Sequence, residues 1–266
     1  MSVRAAILTI LLCLAGSRLF SADDQLQPLQ GNCTIAPSTM HDRVRYEFTH
    51  GGCDNDYGNR NDCHESNSDV PISEFAGLAL ADLEREGAHL EARIVAEAGT
   101  ITCSGTVHDL TLTGDLTFVP DAAFVEHMAQ LGFSGFNSSK LEAYALFHIE
   151  TSWVKSLQAA GVSGMTVDKL ISLRIFKVTP EFVHDMASLG YPDPGADKLT
   201  AFRIHGVNAD EVKQIRALGY NPSADELIQM RIFHVTPDFI ERMRNRGFNN
   251  LTISKLMQIR IFNLAE

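Results

Sequence analysis

Four arginines recur at matched places along the C-terminal half of the chain: Arg174, Arg203, Arg231 and Arg260, at intervals of 29, 28 and 29 residues. A guanidinium carries five N–H donors in a rigid fork that matches carboxylate geometry, so such a ladder on one face would suit the carboxylates of an extended acidic peptide. The simpler role is structural. An arginine in the last turn of a helix meets that helix's free carbonyls and pairs with acids of a neighbouring repeat, contributing roughly 0.3–1 kcal/mol wherever the helix recurs. The repeated Phe176, Phe233 and Phe262 beside them read as core residues.

A second cluster lies upstream. Asp54, Asp56, Asp62 and Glu65 occupy positions 1, 3, 9 and 12 of a calcium-loop template, a spacing that converges oxygens on one hard cation. Gly58 and Asn59 stand at positions 5 and 6, the reverse of what the turn of that loop requires, and no helical pattern flanks it. The same stretch offers His41, His50, Cys53, Cys63 and His64 to zinc, at spacings that match no paired-Cys or Cys/His finger. A calcium or zinc site in residues 53–65 is therefore the alternative, and a solvated hairpin tip pinned by a disulfide the leading reading. The chain has no G-x-S-x-G, P-loop, zincin helix or paired-Cys redox motif, and His148, His205 and His234 do not share a repeat position. No enzyme, catalytic residue or cofactor is expected; a hydrolase would need a site assembled in space.

The elements that carry these residues fall into three parts. Residues 1–22 read as a secretory signal, with Arg4 followed by the apolar run Ala5–Gly16 and cleavage after Ser17 or Ala22. That run is too short for ~30 Å of hydrocarbon, which takes roughly 20 apolar residues, so no membrane span is expected in the mature chain. Removing Cys13 with the signal leaves four cysteines, an even number in an exported chain. The local pair Cys53–Cys63, closing a polar nine-residue loop, is preferred, and by elimination Cys33 pairs with Cys103.

Residues 23–118 form the second part. They hold 7 basic and 17 acidic residues when counted from residue 1, against 15 and 16 in residues 119–266. The whole chain carries −11, which disfavours nucleic acid as a partner. Alternating runs at 44–49, 90–98, 100–107 and 110–119, broken by Gly99 and Gly105, predict an antiparallel β meander, and 72–87 has the apolar spacing of a turn and helix ending at Gly87.

Residues 119–266 form the third part, an internal repeat. Gly132, Gly161, Gly190, Gly219 and Gly247 are spaced 29, 29, 29 and 28, and Leu141, Leu170, Leu199, Leu227 and Leu256 keep step. Each unit reads as a helical hairpin. Thr179, Asn208 and Thr236 cap the first helix, Pro180 and Pro237 open it, and the marker glycine followed by an aromatic ends it. Val178 with Val183, Val207 with Val212 and Val235 with Ile240 sit as hydrophobic staples, while Asn208/Glu211 and Ser223/Glu226 predict capping boxes. Ordering 28 or 29 residues costs roughly 40 kcal/mol, more than the few large apolar side chains of one unit offset, so the copies must stack on one another. The predicted class is α+β: an N-terminal antiparallel sheet domain, then a solenoid-like array of five α-hairpins.

The run EAGTITCSGTVHDLTLTGDLTFVPDAAFVEHMAQLGF, followed by tandem LxxLRIFxVTPEFVxxMxxLGY units, resembles the periplasmic extension of some bacterial antirepressor-type (beta-lactam-sensor-like) membrane metallopeptidases and related stand-alone exported proteins. The resemblance covers residues 66–266 and implies a bacterial envelope protein, periplasmic or secreted. It does not extend to peptidase activity, since the chain lacks the transmembrane bundle and the H-E-x-x-H motif. The resulting expectation is a non-catalytic module that binds a protein or peptide in the cell envelope.

Overall fold

A computed structural model of the chain describes residues 26–51 and 64–264. Six antiparallel strands make one sheet: β1 (Leu29–Pro37), β2 (Arg43–His50), β3 (His64–Pro71), β4 (His89–Ala96), β5 (Gly99–His108) and β6 (Thr111–Pro120), in the order β3-β2-β1-β6-β5-β4. Two three-stranded meanders are thus joined where β1 runs beside β6, with Cys33 opposite Gly114. β2, β4, β5 and β6 correspond to the four alternating runs. β3 (HESNSDVP) escaped notice because it is an edge strand with no fully buried residue and so no apolar alternation.

Gly105 lies inside β5 instead of breaking it. It stands directly opposite Gly114 of β6, and a Cβ on Gly105 would come within 2.6 Å of the Gly114 Cα, so both strands need glycine to approach this closely. On the inner face the bare Gly114 leaves room above β6, and there Cys33 of β1 and Cys103 of β5 join in a disulfide, their Cα atoms 5.8 Å apart. The predicted companion bridge, Cys53–Cys63, lies outside the described residues.

The segment 72–87 departs from the expected helix. It contains two short 3-10 turns, Ile72–Glu74 and Leu80–Glu84, separated by Gly77 at φ 84°. Between them Ala76 exchanges two backbone hydrogen bonds with Arg93 of β4, at 2.7 and 2.9 Å. A pairing with the sheet edge is incompatible with a continuous helix, and buried Phe75 and Leu83 instead drop into the sheet's core.

Ten helices follow among the described residues: α1 (Ala122–Gln130), α2 (Ser138–Leu146), α3 (Thr151–Ala159), α4 (Val167–Ile175), α5 (Pro180–Ser188), α6 (Gly195–Ile204), α7 (Ala209–Ala217), α8 (Ala224–Ile232), α9 (Pro237–Asn245) and α10 (Ile253–Ile261). The five marker glycines hold φ between 80° and 92°, the left-handed C-cap conformation that ends each odd-numbered helix. The amide after the glycine reaches back into the helix in each case, as in Tyr191 N to Met186 O at 3.0 Å and Phe248 N to Met243 O at 3.0 Å. Thr179, Asn208 and Thr236 cap as expected. The Ser223/Glu226 box is complete, but Asn208 makes only its own half, because the Glu211 carboxylate turns to Arg231.

Like helices stack on like: α1 on α3 and α3 on α5, and α2, α4, α6, α8 and α10 in succession. Tyrosine hydroxyls tie one copy to the next, Tyr191 to the Pro222 carbonyl at 2.5 Å and Tyr220 to the Leu251 carbonyl at 2.9 Å. Lysines do the same at the start of the even helices, Lys140 to Asp168 (3.0 Å), Lys169 to Asp197 (2.7 Å) and Lys198 to Asp225. α2 seats on β4, β5 and β6, so a single buried cluster runs from Cys33 in the sheet to Leu199 in α6, and a second continues from Met186 to Leu256. Among the described residues no helix is long and apolar enough to cross a membrane.

Candidate functional site

The arginine register runs along the C-terminal ends of the even helices, and its members act between copies. Arg174 donates through Nε to the Phe147 carbonyl (2.9 Å), Arg203 to Phe176 (3.0 Å), Arg231 to His205 (2.9 Å) and Arg260 to His234 (3.1 Å). Each bond spans 26 or 27 residues and satisfies a carbonyl left free at the end of the preceding even helix. Three of the guanidinium groups also lie over aromatic rings: Arg174 over Trp153 (5.4 Å), Arg203 over Phe182 (5.1 Å) and Arg260 over Phe239 (4.1 Å). Arg231 instead takes both oxygens of Glu211, at 2.9 and 2.8 Å. The sequence period thus has an immediate structural cause: the clamp is needed once per junction.

The residue after each of these arginines was not singled out from the sequence. Ile175, Ile204, Ile232 and Ile261 stand 43%, 51%, 45% and 50% exposed, at one register position on four successively stacked helices. Phe176 and Phe262, expected in the core, are 38% and 67% exposed; they follow the isoleucines as C-cap residues, where the chain turns outward. Phe147 extends the row in the first copy. The result is a line of aliphatic and aromatic side chains along one rim of the array, with no covering element among the described residues. The signal was present in the repeated R-I-F, since an apolar residue kept beside an arginine that faces the rim faces the rim as well.

A separate cluster sits where the sheet meets the array. His50 Nε2 lies 2.7 Å from Glu142 Oε2, both side chains more than nine-tenths buried, and the His50 ring stacks on His64 with centroids 5.0 Å apart. These groups line a cavity of about 170 Å³ together with Phe48, Glu65 and Phe147. Burial holds the Glu142 carboxyl above the ordinary carboxylate range, against the opposing pull of His50 and His64. On the other side of the α2 C-terminus, His148 Nε2 meets Glu74 at 2.7 Å. Both pairs join the sheet region to the helical half through residues 92 and 74 positions apart, a distance at which no local pattern reveals them.

Of the metal alternative, Asp54, Asp56 and Asp62 lie outside the described residues, as do Cys53 and Cys63. Glu65 is exposed on β3, accepting from Asn67 Nδ2 at 3.2 Å. Among the described residues no group of three His, Cys, Asp or Glu side chains is placed to hold an ion. Comparison with protein families, with curated proteins and with solved structures gives no match for this chain.

Proposed function

We propose that the protein is a non-catalytic interaction module of the bacterial envelope whose rim of isoleucines holds an extended segment of a partner protein. The observation that carries this reading is the exposed line Ile175–Ile204–Ile232–Ile261. A fold stabilised by burying apolar surface leaves isolated side chains exposed by accident, but not the same position in four consecutive copies. The line is one residue wide. Stacked helices lie 8–10 Å apart, so four copies span roughly 30 Å, too narrow a strip for the ~800 Å² per partner of a standard globular interface but matched to an extended chain. The rigid clamps behind the rim favour binding, since a preformed surface loses little entropy when a ligand docks.

Export is part of the same reading. It rests on the cationic and apolar start of the sequence and on the Cys33–Cys103 disulfide, which belongs in an oxidising compartment. The test is crosslinking in the native envelope with wild-type protein and with the double variant Ile204→Glu, Ile232→Glu. The adduct seen with wild type should disappear in the variant while its melting temperature stays the same; an unchanged adduct pattern overturns the assignment of the rim.

A further inference from the structure

The face of the sheet that points away from the core holds a cavity of about 380 Å³ over β2, β1 and β6. Two cross-strand rows of side chains wall it: Thr49, Asn32 and Asp115 in one, Glu47, Thr34 and Thr113 in the other. Their sequence neighbours Cys33, Phe48, Leu112 and Leu116 are buried, which turns these six outward. None of the six has a side-chain hydrogen-bond or ion-pair partner among the described residues. The floor is main chain, at Cys33 and Gly114.

The disulfide accounts for the opening. Paired strands stand about 4.8 Å apart, so two strands flanking a third are separated by at least about 9.6 Å. Cys33 of β1 and Cys103 of β5 flank β6, yet their Cα atoms are 5.8 Å apart. The sheet is therefore bent at β6 toward its core, and the bend spreads the side chains on the outer face.

Solvation alone does not explain the walls. Threonine suits an exposed strand, whereas asparagine and aspartate are disfavoured in strands, and Asn32 and Asp115 stand opposite each other on the two central strands. Departures from local preference concentrate at functional sites. The Asn32 amide and the three threonine hydroxyls both donate and accept hydrogen bonds, and the two carboxylates accept. A cation would use the acceptors alone, and an anion would meet Glu47 and Asp115. A sugar hydroxyl donates and accepts at once, which matches the whole set.

We infer that this cavity binds a neutral sugar, as one pyranose ring of a free saccharide or of a glycan chain. At about 30 Å³ per water it holds roughly twelve, comparable with the dozen or so non-hydrogen atoms of a hexose. The two rows cover roughly 10 Å across the strands and 7 Å along them, the scale of one ring with its hydroxyls. The site shares no residue with the isoleucine rim and does not depend on the function proposed for it.

The test titrates the full chain, labelled with nitrogen-15, with glucose, galactose and N-acetylglucosamine, and separately with calcium chloride and 1,4-diaminobutane. Saturable shifts with at least one sugar are expected at the amides of β1, β2 and β6 that line the cavity. Asp115→Asn and Thr34→Val keep the shape of the side chain while removing a charge or a hydroxyl, and each should weaken binding roughly ten-fold with the melting temperature unchanged. Asn67→Ala, on β3 outside the cavity, should leave binding as it is. A disaccharide that binds roughly ten-fold tighter than its monomer identifies a glycan chain as the source, and equal affinities identify a free sugar. Failure of all three sugars to saturate, shifts that persist undiminished in both variants, or saturation by calcium or the diamine alone overturns the proposal.

Discussion

The sheet and the helical array bury apolar surface by opposite means. In the sheet, the strands of each meander pair with their neighbours in sequence, but the contacts that make the two meanders one sheet are distant: β1 pairs with β6 across some eighty residues, and the Cys33–Cys103 disulfide closes a separation of 70. In the array the same contacts recur at 26 to 31 residues, as an arginine to a carbonyl, a tyrosine to a carbonyl and a lysine to an aspartate, and each copy touches its neighbours. Two meanders joined in this way gain or lose stability together, because each is held to the other at long range. The array divides into junctions whose energies approximately add. Where they meet, α2 lies against the sheet and the His50–Glu142 pair sits in the seam.

Breaking that contrast should be easiest at the disulfide. Cys33→Ala with Cys103→Ala is expected to lower unfolding free energy by about 4 kcal/mol, the loop-closure value for a separation of this size, read as a fall in the urea midpoint. Hydrogen exchange should then rise throughout β1–β6 while amides in α8 and α9 change little; equal loss of protection at both ends would show the two regions to be one cooperative unit. Arg231→Ala removes bonds to His205 and Glu211 and should cost roughly 2 kcal/mol, with faster exchange confined to α6–α8.

At the seam the effect should depend on pH. Burial raises the Glu142 pKa above its ordinary value of 4.5, so the folded state holds this proton more tightly than the unfolded chain does. The contribution of the group is therefore fully present below about pH 4.5 and is lost as pH rises through the folded value. Wild type should gain stability relative to Glu142→Gln on going from pH 7 to pH 4.5, measured as the difference in urea midpoints; a gap moving the other way would place the dominant influence with the histidines. The smallest effect is expected at the rim, where Ile204→Glu should change stability by under about 0.5 kcal/mol, a surface substitution that removes no packing, so that any loss of partner binding is not a loss of fold.

What could be read in advance follows the same division. The array was legible because five glycines that must adopt positive φ, and the threonine and asparagine caps, are chosen by local backbone physics and repeat in step. The helix expected over 72–87 failed because Ala76 meets Arg93, a partner that no local window contains. β3 failed because an exposed edge strand has no buried face to impose a period. At the candidate site the arginine spacing was visible, but whether it faced a ligand or a neighbour was not, since both need the same periodic guanidinium. The exposed isoleucines are marked only by their place in the repeated R-I-F, and the Glu142–His50 contact has no local signature at all.

The sequence by itself therefore determined the α+β order, the five-fold repeat and where the capped helices of the repeat start and stop, because those follow from backbone preference and from apolar period; counting cysteines left three pairings, and the structure shows Cys33 joined to Cys103. Tertiary structure alone decided which arginine nitrogens are occupied, which apolar residues of the repeat remain exposed, and which buried acid meets which histidine. Those outcomes depend on what another part of the chain places opposite a side chain, and a neighbour 26 or 92 residues away leaves no mark on the residues beside it.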